Sequence, residues 1–354
     1  MKSKNLSENI LRSVKSKGYK YINLPSVIEA DHIVQRSGEN FRKFIFSFHD
    51  QDGTELCLRP DLTIASCLRY LDNNLKGKQK IFYSGQAYRK NDDKKKSIIR
   101  DQIGFEILGS KDEKNDDKEI INTSLKSLKN IKFSSGNLTI GNVEIFKLLI
   151  DKLEIPSRWK LRLIRHFWRE DYFNDLLKRL ETNADIDPTV VDLDKKLYLN
   201  LLKKDPNALV AGRSYGEILK RFDEKIKNPR KASEGKKVSK IIKEFLKIKC
   251  PINKAADQLN KFFKRNRINL AVDQRYFPLS SNKISKLNVI FSSSFGRQLE
   301  YYSGMVFRID VKINAKQVQL ISGGRYDNLI SDLGSSKKVN AVGAAINLWA
   351  RQLR

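Results

Sequence analysis

The stretch that decides the fold lies at residues 44–75 and reads FIFSFHDQDGTELCLRPDLTIASCLRYLDNNL. In its first part phenylalanine recurs at every second position, which is the period of a strand. The Gln-Asp-Gly run marks a turn before a second short apolar segment. In its last part Leu62 and Ala65 begin an apolar face with helical spacing. We therefore predict a hairpin over residues 44–58 and a helix over residues 61–75.

Strand and helix patterns continue outward from this stretch on both sides. Apolar runs of strand length predict further strands at residues 80–89, 101–108, 137–140, 268–272, 286–291, 301–309 and 317–321. Helical periods predict helices at residues 5–17, 118–130, 143–153 and 342–353. Few strands alternate with helices in the βαβ manner. The order therefore favours an α+β fold, an antiparallel sheet flanked by helices, over a doubly wound parallel sheet.

The middle of the chain has a different pattern. From residue 156 to about residue 263 strand signals vanish and helical periods dominate, as in Leu161, Ile164 and Phe167. We interpret this region as a helical insertion. The predicted division is a first part of the core at 1–155, the insertion at 156–263 and a second part of the core at 264–354.

The chain of 354 residues is strongly basic, with 69 Lys and Arg against 41 Asp and Glu. A net charge of +28 often indicates a nucleic-acid partner. Lysine is nevertheless spread along the whole chain, as in the product of an AT-rich coding sequence. Nucleic-acid faces combine basic residues with aromatic ones, and the lysine-rich stretches at 94–96 and 225–249 contain few aromatics. We therefore do not expect nucleic acid as a partner.

Cysteine and histidine usage indicates a reducing compartment and no metal. Three scattered cysteines are too few for a disulfide framework. Three histidines lack a second ligand at zinc spacing. The N-terminus does not resemble a signal peptide, and no apolar run is long enough to span a bilayer. We expect a cytoplasmic protein without a cofactor, a metal or a membrane segment.

Two groups of polar residues stand at strand ends or on one strand face. Asp61 and Thr63 could offer oxygens to a cation, but for this motif alone a helix N-cap with a first-turn carboxylate is the favoured explanation. Gln102, Gly104 and Glu106 face the same side of a strand, and the missing side chain at Gly104 leaves room for a ligand. A solvent-facing polar stripe is an equally good explanation of this second group.

A third group follows near the C-terminal end. Arg297 could hold a ligand carboxylate through two parallel hydrogen bonds. Tyr301 and Tyr302 could supply flat walls with polar tips. The alternative is an exposed arginine beside two core tyrosines. The Gly-Gly pair at 323–324 permits close backbone approach or a positive φ, and its alternative is an ordinary turn.

The order and spacing of these groups resemble those of a known family. The motifs that match lie at residues 58–63, 88–89, 102–106, 297–304, 323–329 and 341–343. They resemble histidyl-tRNA synthetases, and more closely the non-synthetase branch of that family, the regulatory subunits of ATP phosphoribosyltransferase. The resemblance implies a class II aminoacyl-tRNA synthetase-like sheet flanked by helices. The middle of the chain carries no motif of this kind.

The resemblance also implies a histidine site and a role for each matching position. Asp61, Thr63 and Gln102 would take the α-ammonium group of histidine. Arg297 would take its carboxylate. These residue types suit a zwitterion, which needs acceptors at one end and a guanidinium at the other.

The remaining positions would surround the imidazole and the carboxylate. Glu106 and Tyr301 would bind the imidazole, and Tyr302 would form a wall. Arg89 matches the arginine that grips the phosphate and carboxylate of the adenylate in the synthetases.

Several departures from the synthetase pattern argue against adenylate chemistry. The synthetases have a glutamate where this chain has Asn91, and their last motif ends in an arginine that clamps ATP phosphates. Here Ala350 holds that position, Trp349 precedes it and Arg351 comes one residue late, about 100° around a helix. Since the sequence ends at Arg354, we expect no C-terminal anticodon-binding domain.

The resemblance with these departures implies a regulatory subunit without catalytic residues. It would bind L-histidine, transmit feedback inhibition, and be required by a short catalytic subunit that condenses ATP with phosphoribosyl pyrophosphate. A homodimer within a hetero-oligomer is expected. The alternatives are a truncated, adenylate-forming synthetase paralogue and a basic RNA-binding module.

Overall fold

The computed structural model describes residues 2–37, 39–90, 97–182, 196–197, 199–200, 203–207, 209–210, 213–228, 230–297 and 301–348. The helices are α1 Lys2–Lys15, α2 Ala30–Ser37, α3 Leu62–Asp72, α4 Glu113–Ser127, α5 Val143–Lys152, α6 Ser157–Arg165, α7 Glu170–Leu180, α8 Tyr215–Lys227, α9 Ala232–Leu246, α10 Ala255–Arg265 and α11 Leu329–Asp332. Short 3-10 turns lie at Glu39–Phe44, Leu128–Asn130, Ile252–Lys254 and Gln274–Tyr276. Within these residues, no helix has the length and apolar character to cross a bilayer.

The strands are β1 Lys20–Tyr21, β2 Val27–Glu29, β3 Ser47–His49, β4 Glu55–Leu58, β5 Gln79–Tyr88, β6 Ile99–Leu108, β7 Gly136–Asn142, β8 Leu209–Val210, β9 Arg213–Ser214, β10 Lys249–Pro251, β11 Lys283–Ile284, β12 Leu287–Ser292, β13 Met305–Ile313, β14 Lys316–Arg325 and β15 Ala341–Asn347. The chain divides into two compact units. The first contains residues 1–146, 248–262 and 271–354, and the second contains residues 147–247 and 263–270. The boundaries drawn from the sequence at 156 and 263 stay predictions.

The first unit is built on one large sheet. Its strand order is β1-β5-β6-β15-β14-β13-β7-β12-β10, with β11 paired to β12. β1 runs parallel to β5 and β7 runs parallel to β12, whereas the other pairs are antiparallel. The predicted α+β class is confirmed, and the sheet is mixed, with mostly antiparallel pairs.

The stretch at residues 44–75 forms the predicted hairpin and helix with shorter bounds, since β3 begins at Ser47 and α3 ends at Asp72. β3 and β4 form an antiparallel hairpin, and β2 adds to the other edge of β4. Ile28 and Cys57 from this small sheet lie in one buried cluster with Ile64 of α3 and Ile81 of the large sheet. The hairpin and α3 are therefore fixed to the large sheet by shared apolar burial.

Arg59 locks the turn between β4 and α3. Its side chain is 6% exposed and donates to the carbonyls of Leu24 and Pro25, each at 2.8 Å, and to that of Gln86 at 2.8 Å. Carbonyls of two separate segments thus converge on one guanidinium, which offers five donors in a fixed plane. The position of Asp61, two residues further on, follows from this anchor.

The prediction of a C-terminal helix over residues 342–353 is wrong for the residues that the structure describes. Ala341–Asn347 is β15, between β6 and β14. Its alanines suit a helix, but pairing on both sides outweighs that weak preference. Gly343 and Ala344 face Gly324 and Gly323, so small residues let these two strands approach closely. Residues 349–353 lie outside the described part of the chain.

Two further strand assignments need correction. No strand forms at residues 268–272. There the backbone of Val272 pairs instead with the Asn260 side chain, through bonds of 2.9 and 2.8 Å. The short β10 lies inside the region predicted to be helical and pairs with β12. A three-residue strand is too short to show a period in the sequence.

Arg230 is the buried anchor of the second unit. It has no exposed surface, and its guanidinium donates to the carbonyl of Leu180 and, at 2.8 Å, to that of Thr182. These carbonyls end α7 and its following turn, where helix carbonyls lack intrahelical donors. The guanidinium carbon also lies 5.0 Å from the ring centre of Trp159. A positive charge at a helix C-terminus is favourable because the helix dipole places a partial negative charge there.

We expect Arg230→Met to lower the free energy of unfolding by about 3 kcal/mol, because buried carbonyls lose a charged donor. Urea unfolding followed by tryptophan fluorescence measures this change. Arg165→Met, at an exposed position on α6, is the matched control and should change the value by at most about 0.5 kcal/mol. Equal effects of the two substitutions would show that Arg230 is not an anchor.

Candidate functional site

A small cavity lies where the N-terminus of α3 meets β14 and β15. It encloses about 80 Å³, which is room for several water-sized groups and thus for a small polar ligand. Its walls include most of the residues singled out in the sequence, namely Asp61, Thr63, Arg89, Gln102, Tyr301 and Tyr302. The fold therefore brings together groups that lie far apart along the chain.

Small residues form another side of the cavity. Gly323 and Gly324 of β14, together with Gly343 of β15, belong to its lining. A Cβ atom on Gly343 would lie 1.2 Å from Oε2 of Glu106, and one on Gly324 would lie 2.8 Å from the Tyr302 ring. These glycines are needed because neighbouring side chains occupy the space that a Cβ would take. The close-approach interpretation of the Gly-Gly pair is the correct one.

Glu106 lies beneath the cavity and is 1% exposed. Tyr83 donates a hydrogen bond of 2.5 Å to Oε1, and Tyr326 donates one of 2.6 Å to Oε2. Thr63 donates a longer bond of 3.3 Å to Oε1. The carboxyl group is thus held by hydroxyls from α3, from β5 and from the segment after β14. Hydrogen bonds of this kind offset part of the cost of burying a carboxylate.

Burial raises the pKa of Glu106 to about 7, although the three hydroxyl donors act in the opposite direction. Loss of hydration is the dominant cause, because it penalises the charged form. The negative charge of Asp61 contributes a smaller increase in the same direction. The group can therefore gain or lose a proton near neutral pH.

Asp61 is the N-cap of α3, as one interpretation of the sequence held. Its side chain accepts a hydrogen bond of 3.0 Å from the backbone N–H of Ile64. It also lines the cavity, so the cap and the site are compatible roles. Burial raises the pKa of Asp61, and the positive charge of Arg89 opposes this increase. A carboxylate and a guanidinium thus stand in the same wall.

Arg89 and Gln102 are both oriented by neighbouring groups. Arg89 donates through Nε to the carbonyl of Pro60 at 2.7 Å, and its guanidinium carbon lies 5.5 Å from the ring centre of Phe41. Gln102 donates to the side-chain oxygen of Asn347 at 2.8 Å. Because these contacts restrict both side chains, their polar groups are presented to the cavity in defined positions.

The aromatic wall is continuous. The rings of Tyr301 and Tyr302 lie 5.0 Å apart at 63°, and the rings of Tyr301 and Tyr326 lie 5.9 Å apart at 75°. These are edge-to-face contacts, which stabilise a rigid arrangement. Burial raises the pKa of Tyr301 and of Tyr302, so both hydroxyls stay protonated and can donate.

Arg297 is placed differently from the other predicted residues. It is 9% exposed and lies in the turn that follows β12. It is absent from the cavity lining among the described residues, and residues 298–300 beside it are outside the description. Asn91, Trp349, Ala350 and Arg351, on which the departures from the synthetase pattern rest, also lie outside it.

One expectation about the site is wrong. The missing side chain at Gly104 does not leave room for a ligand, because the Tyr83 ring fills that space. A Cβ atom on Gly104 would lie 2.2 Å from this ring. Tyr83 and Gly104 are cross-strand partners on β5 and β6. The pairing places a tyrosine hydroxyl beside Glu106 where an open pocket was expected.

Sequence reasoning missed the residues that support the site. Tyr83, Tyr326 and Asn347 were not singled out, although each bonds a predicted residue. A large residue opposite a glycine is the available signal for Tyr83, but it requires the strand register. Tyr326 follows the Gly-Gly-Arg run that was noted for its glycines alone.

A larger cavity of about 610 Å³ lies beside the C-terminal end of β14. Arg325 lies beside it, 4% exposed, and bonds Asp117 at 2.7 Å and Asp327 at 2.9 Å. Burial raises the pKa of Asp117 to about 6, against the effect of Arg325. The predicted site residues do not line this cavity.

Among the described residues, no group of three or more His, Cys, Asp and Glu could hold a metal ion.

Glu106 should make stability depend on pH. Its folded pKa of about 7 lies above the ordinary value of 4.5, so the folded state binds more protons between these values. Stability from this group therefore falls as pH rises through this window, and the loss persists above it. We expect the free energy of unfolding to fall between pH 5 and 8 by roughly 2 to 3 kcal/mol more in the wild type than in Glu106→Gln. Urea titrations at both pH values measure this difference, and equal pH dependence would contradict it.

Known proteins resemble this chain in sequence along most of its length. A family model described as histidyl-tRNA synthetase matches residues 1–350. Two relatives named ATP phosphoribosyltransferase regulatory subunit are similar along most of their length. The one from Brucella anthropi is 27% identical, over 94% of this chain and 92% of that protein. The one from Agrobacterium fabrum is 28% identical, with the same coverage.

Solved structures share the fold. One, described as an ATP phosphoribosyltransferase regulatory subunit/histidyl-tRNA synthetase from Bacillus halodurans, superposes with a TM-score of 0.57 at 21% identity, over 99% of this chain and 79% of that one. An ATP phosphoribosyl transferase (HisG:HisZ) complex from Thermotoga maritima gives 0.54 at 17% identity, over 98% and 97%. The predicted class II synthetase-like fold is confirmed. Because the family model spans nearly the whole sequence, this chain belongs to the histidyl-tRNA synthetase family.

Proposed function

We propose that this chain is the regulatory, non-catalytic subunit of ATP phosphoribosyltransferase and that its small cavity binds L-histidine as the feedback signal. The observation that carries the proposal is a cavity with Asp61 and Arg89 in one wall and a hydroxyl-bonded Glu106 beneath it. Such a set of groups suits an amino-acid zwitterion with a polar side chain. The names of the relatives support the regulatory assignment.

In this proposal the α-ammonium and α-carboxylate groups of histidine each contact a side chain of opposite charge. The ammonium group binds Asp61, Thr63 and Gln102, which supply a carboxylate, a hydroxyl and an amide oxygen. The carboxylate binds Arg89, which lines the cavity. Arg297 is a second carboxylate ligand in the proposal, and it reaches the ligand only if its turn moves toward the cavity.

The imidazole lies against the tyrosine wall. Tyr301 donates or accepts at one ring nitrogen, and Tyr302 packs against the ring. Glu106 accepts from the other ring nitrogen. The bond from Thr63 to Glu106 is the longest of the three at 3.3 Å. It is therefore the one that an imidazole N–H replaces at the smallest cost. The lone pairs of the Thr63 hydroxyl oxygen accept from the ammonium group.

The proposed partners are a short-form catalytic subunit and a second copy of this chain, assembled in the cytoplasm. Histidine regulates such a complex if it binds one arrangement more tightly than the other. A preference of about 1–3 kcal/mol is enough to shift the equilibrium 5- to 150-fold. The assignment needs no cofactor, because this chain carries no chemical step in it.

The proposal predicts that the purified chain binds L-histidine in isothermal titration calorimetry. Gln102→Ala should weaken binding about tenfold or more, because a hydrogen bond to a charged ligand group is lost. Gln86→Ala is the matched control. Gln86 is exposed on the neighbouring strand and bonds Asp101, and this variant should bind like the wild type.

L-Histidinol keeps the ammonium group and the imidazole but lacks the carboxylate, so it tests the carboxylate contact alone. It should bind more weakly than histidine. Absence of binding heat with the wild type would rule out the proposal that this chain binds histidine. Equal affinities of the wild type and Gln102→Ala would place the ligand elsewhere.

A further inference from the structure

The larger cavity beside β14 lies within the first unit and is separate from the proposed histidine site. Its volume of about 610 Å³ is in the range of small-molecule sites in proteins. Its lining comes from the first two turns of α4, the end of β7, the loop at 274–280, the start of β13 and the end of β14. We call it the α4 cavity.

Asp117 presents one carboxylate oxygen to this cavity. Nε and Nη2 of Arg325 both donate to Oδ1 of Asp117, at 3.0 and 2.7 Å. Within the described part of the chain, no side chain or backbone N–H donates to Oδ2. The Asp117 side chain is 17% exposed and belongs to the lining, so Oδ2 is accessible from the cavity. An ionised carboxylate only accepts hydrogen bonds, and a ligand N–H is a donor that suits it.

The surroundings of Asp117 keep a negative charge although Arg325 is bonded to it. Arg325 also donates to Asp327 at 2.9 Å, so one guanidinium serves two carboxylates. Glu113 lies one turn before Asp117 on α4 and lines the cavity as well. Burial raises the pKa of Asp117 to about 6, and the charges of Asp327 and Glu113 act in the same direction. A cationic ligand group would offset this negative charge.

Part of the lining is apolar. Phe277 and Met305 are 3% and 2% exposed, and Tyr276 and Leu279 are half-buried. These residues line the same cavity as Asp117 and bring no charge to it. They suit the aliphatic stem of a basic side chain, and a planar guanidinium can stack on a tyrosine ring.

Two lysines flank the acidic face of α4. Lys114 and Lys118 follow Glu113 and Asp117 by one residue each, so they form a second stripe about 100° around the helix. Both are exposed, and both line the cavity. Within the residues that the structure describes, neither has a carboxylate at ion-pair distance. The cavity therefore offers acceptors for a cation and donors for an anion side by side.

We propose that the α4 cavity binds a basic α-amino acid of the arginine type, a zwitterion with an additional cationic side chain. The ligand guanidinium donates to Oδ2 of Asp117 and stacks on Tyr276. The α-carboxylate binds Lys114 and Lys118. Glu144, which is exposed in the first turn of α5 and lines the cavity, accepts from the α-ammonium group.

A simple anion such as phosphate fits this cavity less well. Glu113, Asp117 and Glu144 all line it and would repel an anion. Arg275 lines it too, but Asp273 already pairs with this guanidinium at 2.6 Å. The presence of both signs of charge therefore favours a zwitterion.

The test is isothermal titration calorimetry of the full chain with L-arginine and two analogues. L-Citrulline has nearly the shape of arginine but a neutral side chain, so it should bind about tenfold or more weakly. Agmatine keeps the guanidinium and lacks the carboxylate, and it should also bind about tenfold or more weakly. No binding of L-arginine, or equal affinities for L-arginine and L-citrulline, would overturn the proposal.

Variants of α4 locate the ligand. Lys114→Gln with Lys118→Gln should weaken L-arginine binding about tenfold or more and agmatine binding about twofold or less, because agmatine has no carboxylate. Lys126→Gln with Lys129→Gln is the matched control. It removes the same charge from exposed positions beside the other end of α4 and should change L-arginine binding about twofold or less. Equal weakening by the two pairs would contradict the assignment.

Asp117→Asn should abolish the preference for L-arginine over L-citrulline, and an unchanged preference would place the guanidinium elsewhere. Circular dichroism and thermal unfolding show whether each variant is folded. The surface lysine pair keeps the test decisive if Asp117→Asn does not fold.

This inference and the histidine proposal fail separately. Gln102→Ala lies in the small cavity and should leave L-arginine binding unchanged. Saturation with L-histidine should not block L-arginine either. Loss of the L-arginine heat in the presence of L-histidine would place both ligands in the small cavity and overturn the assignment to the α4 cavity.

Discussion

The hydrogen-bonded carboxyl group of Glu106 is the interaction on which the site depends. Burying a carboxylate costs free energy because the group loses its hydration. Here hydrogen bonds from hydroxyls of three separate segments, and not a cation, offset that cost. Each hydroxyl comes from an element that also lines the cavity, so the network fixes α3, β5 and the end of β14 relative to β6. The shape of the cavity is therefore a consequence of satisfying one buried group. The same need explains Gly343, whose missing side chain makes room for the carboxyl oxygens.

The sequence predicted the parts of the fold that local periodicity controls. Alternating phenylalanines and the spacing of Leu62 and Ala65 located the hairpin and α3, and a period of two placed Gln102 and Glu106 on one face. Strand pairing controls the rest. Whether Gly104 is open or filled depends on its partner Tyr83, and local pattern does not contain that register. β15 was mistaken for a helix for the same reason, since its alanines have strand neighbours on both sides.

The eight residues implied by the family resemblance divide into three structural groups. Six line the cavity, Glu106 supports it from below, and Arg297 lies in a separate turn. This division matters for regulation, because a ligand that draws Arg297 toward the cavity would move the turn after β12. A sensor needs such a difference between its free and bound states, since a ligand shifts an equilibrium only through differential affinity.

The central claim is that histidine acts on phosphoribosyl transfer through this chain. The most direct measurement is the rate at which the short catalytic subunit condenses ATP with phosphoribosyl pyrophosphate, with and without this protein, across a histidine titration. The account predicts activity that requires this protein and that histidine inhibits in the assembled complex. Full activity of the catalytic subunit alone, or inhibition that is unchanged when this protein is omitted, would contradict it.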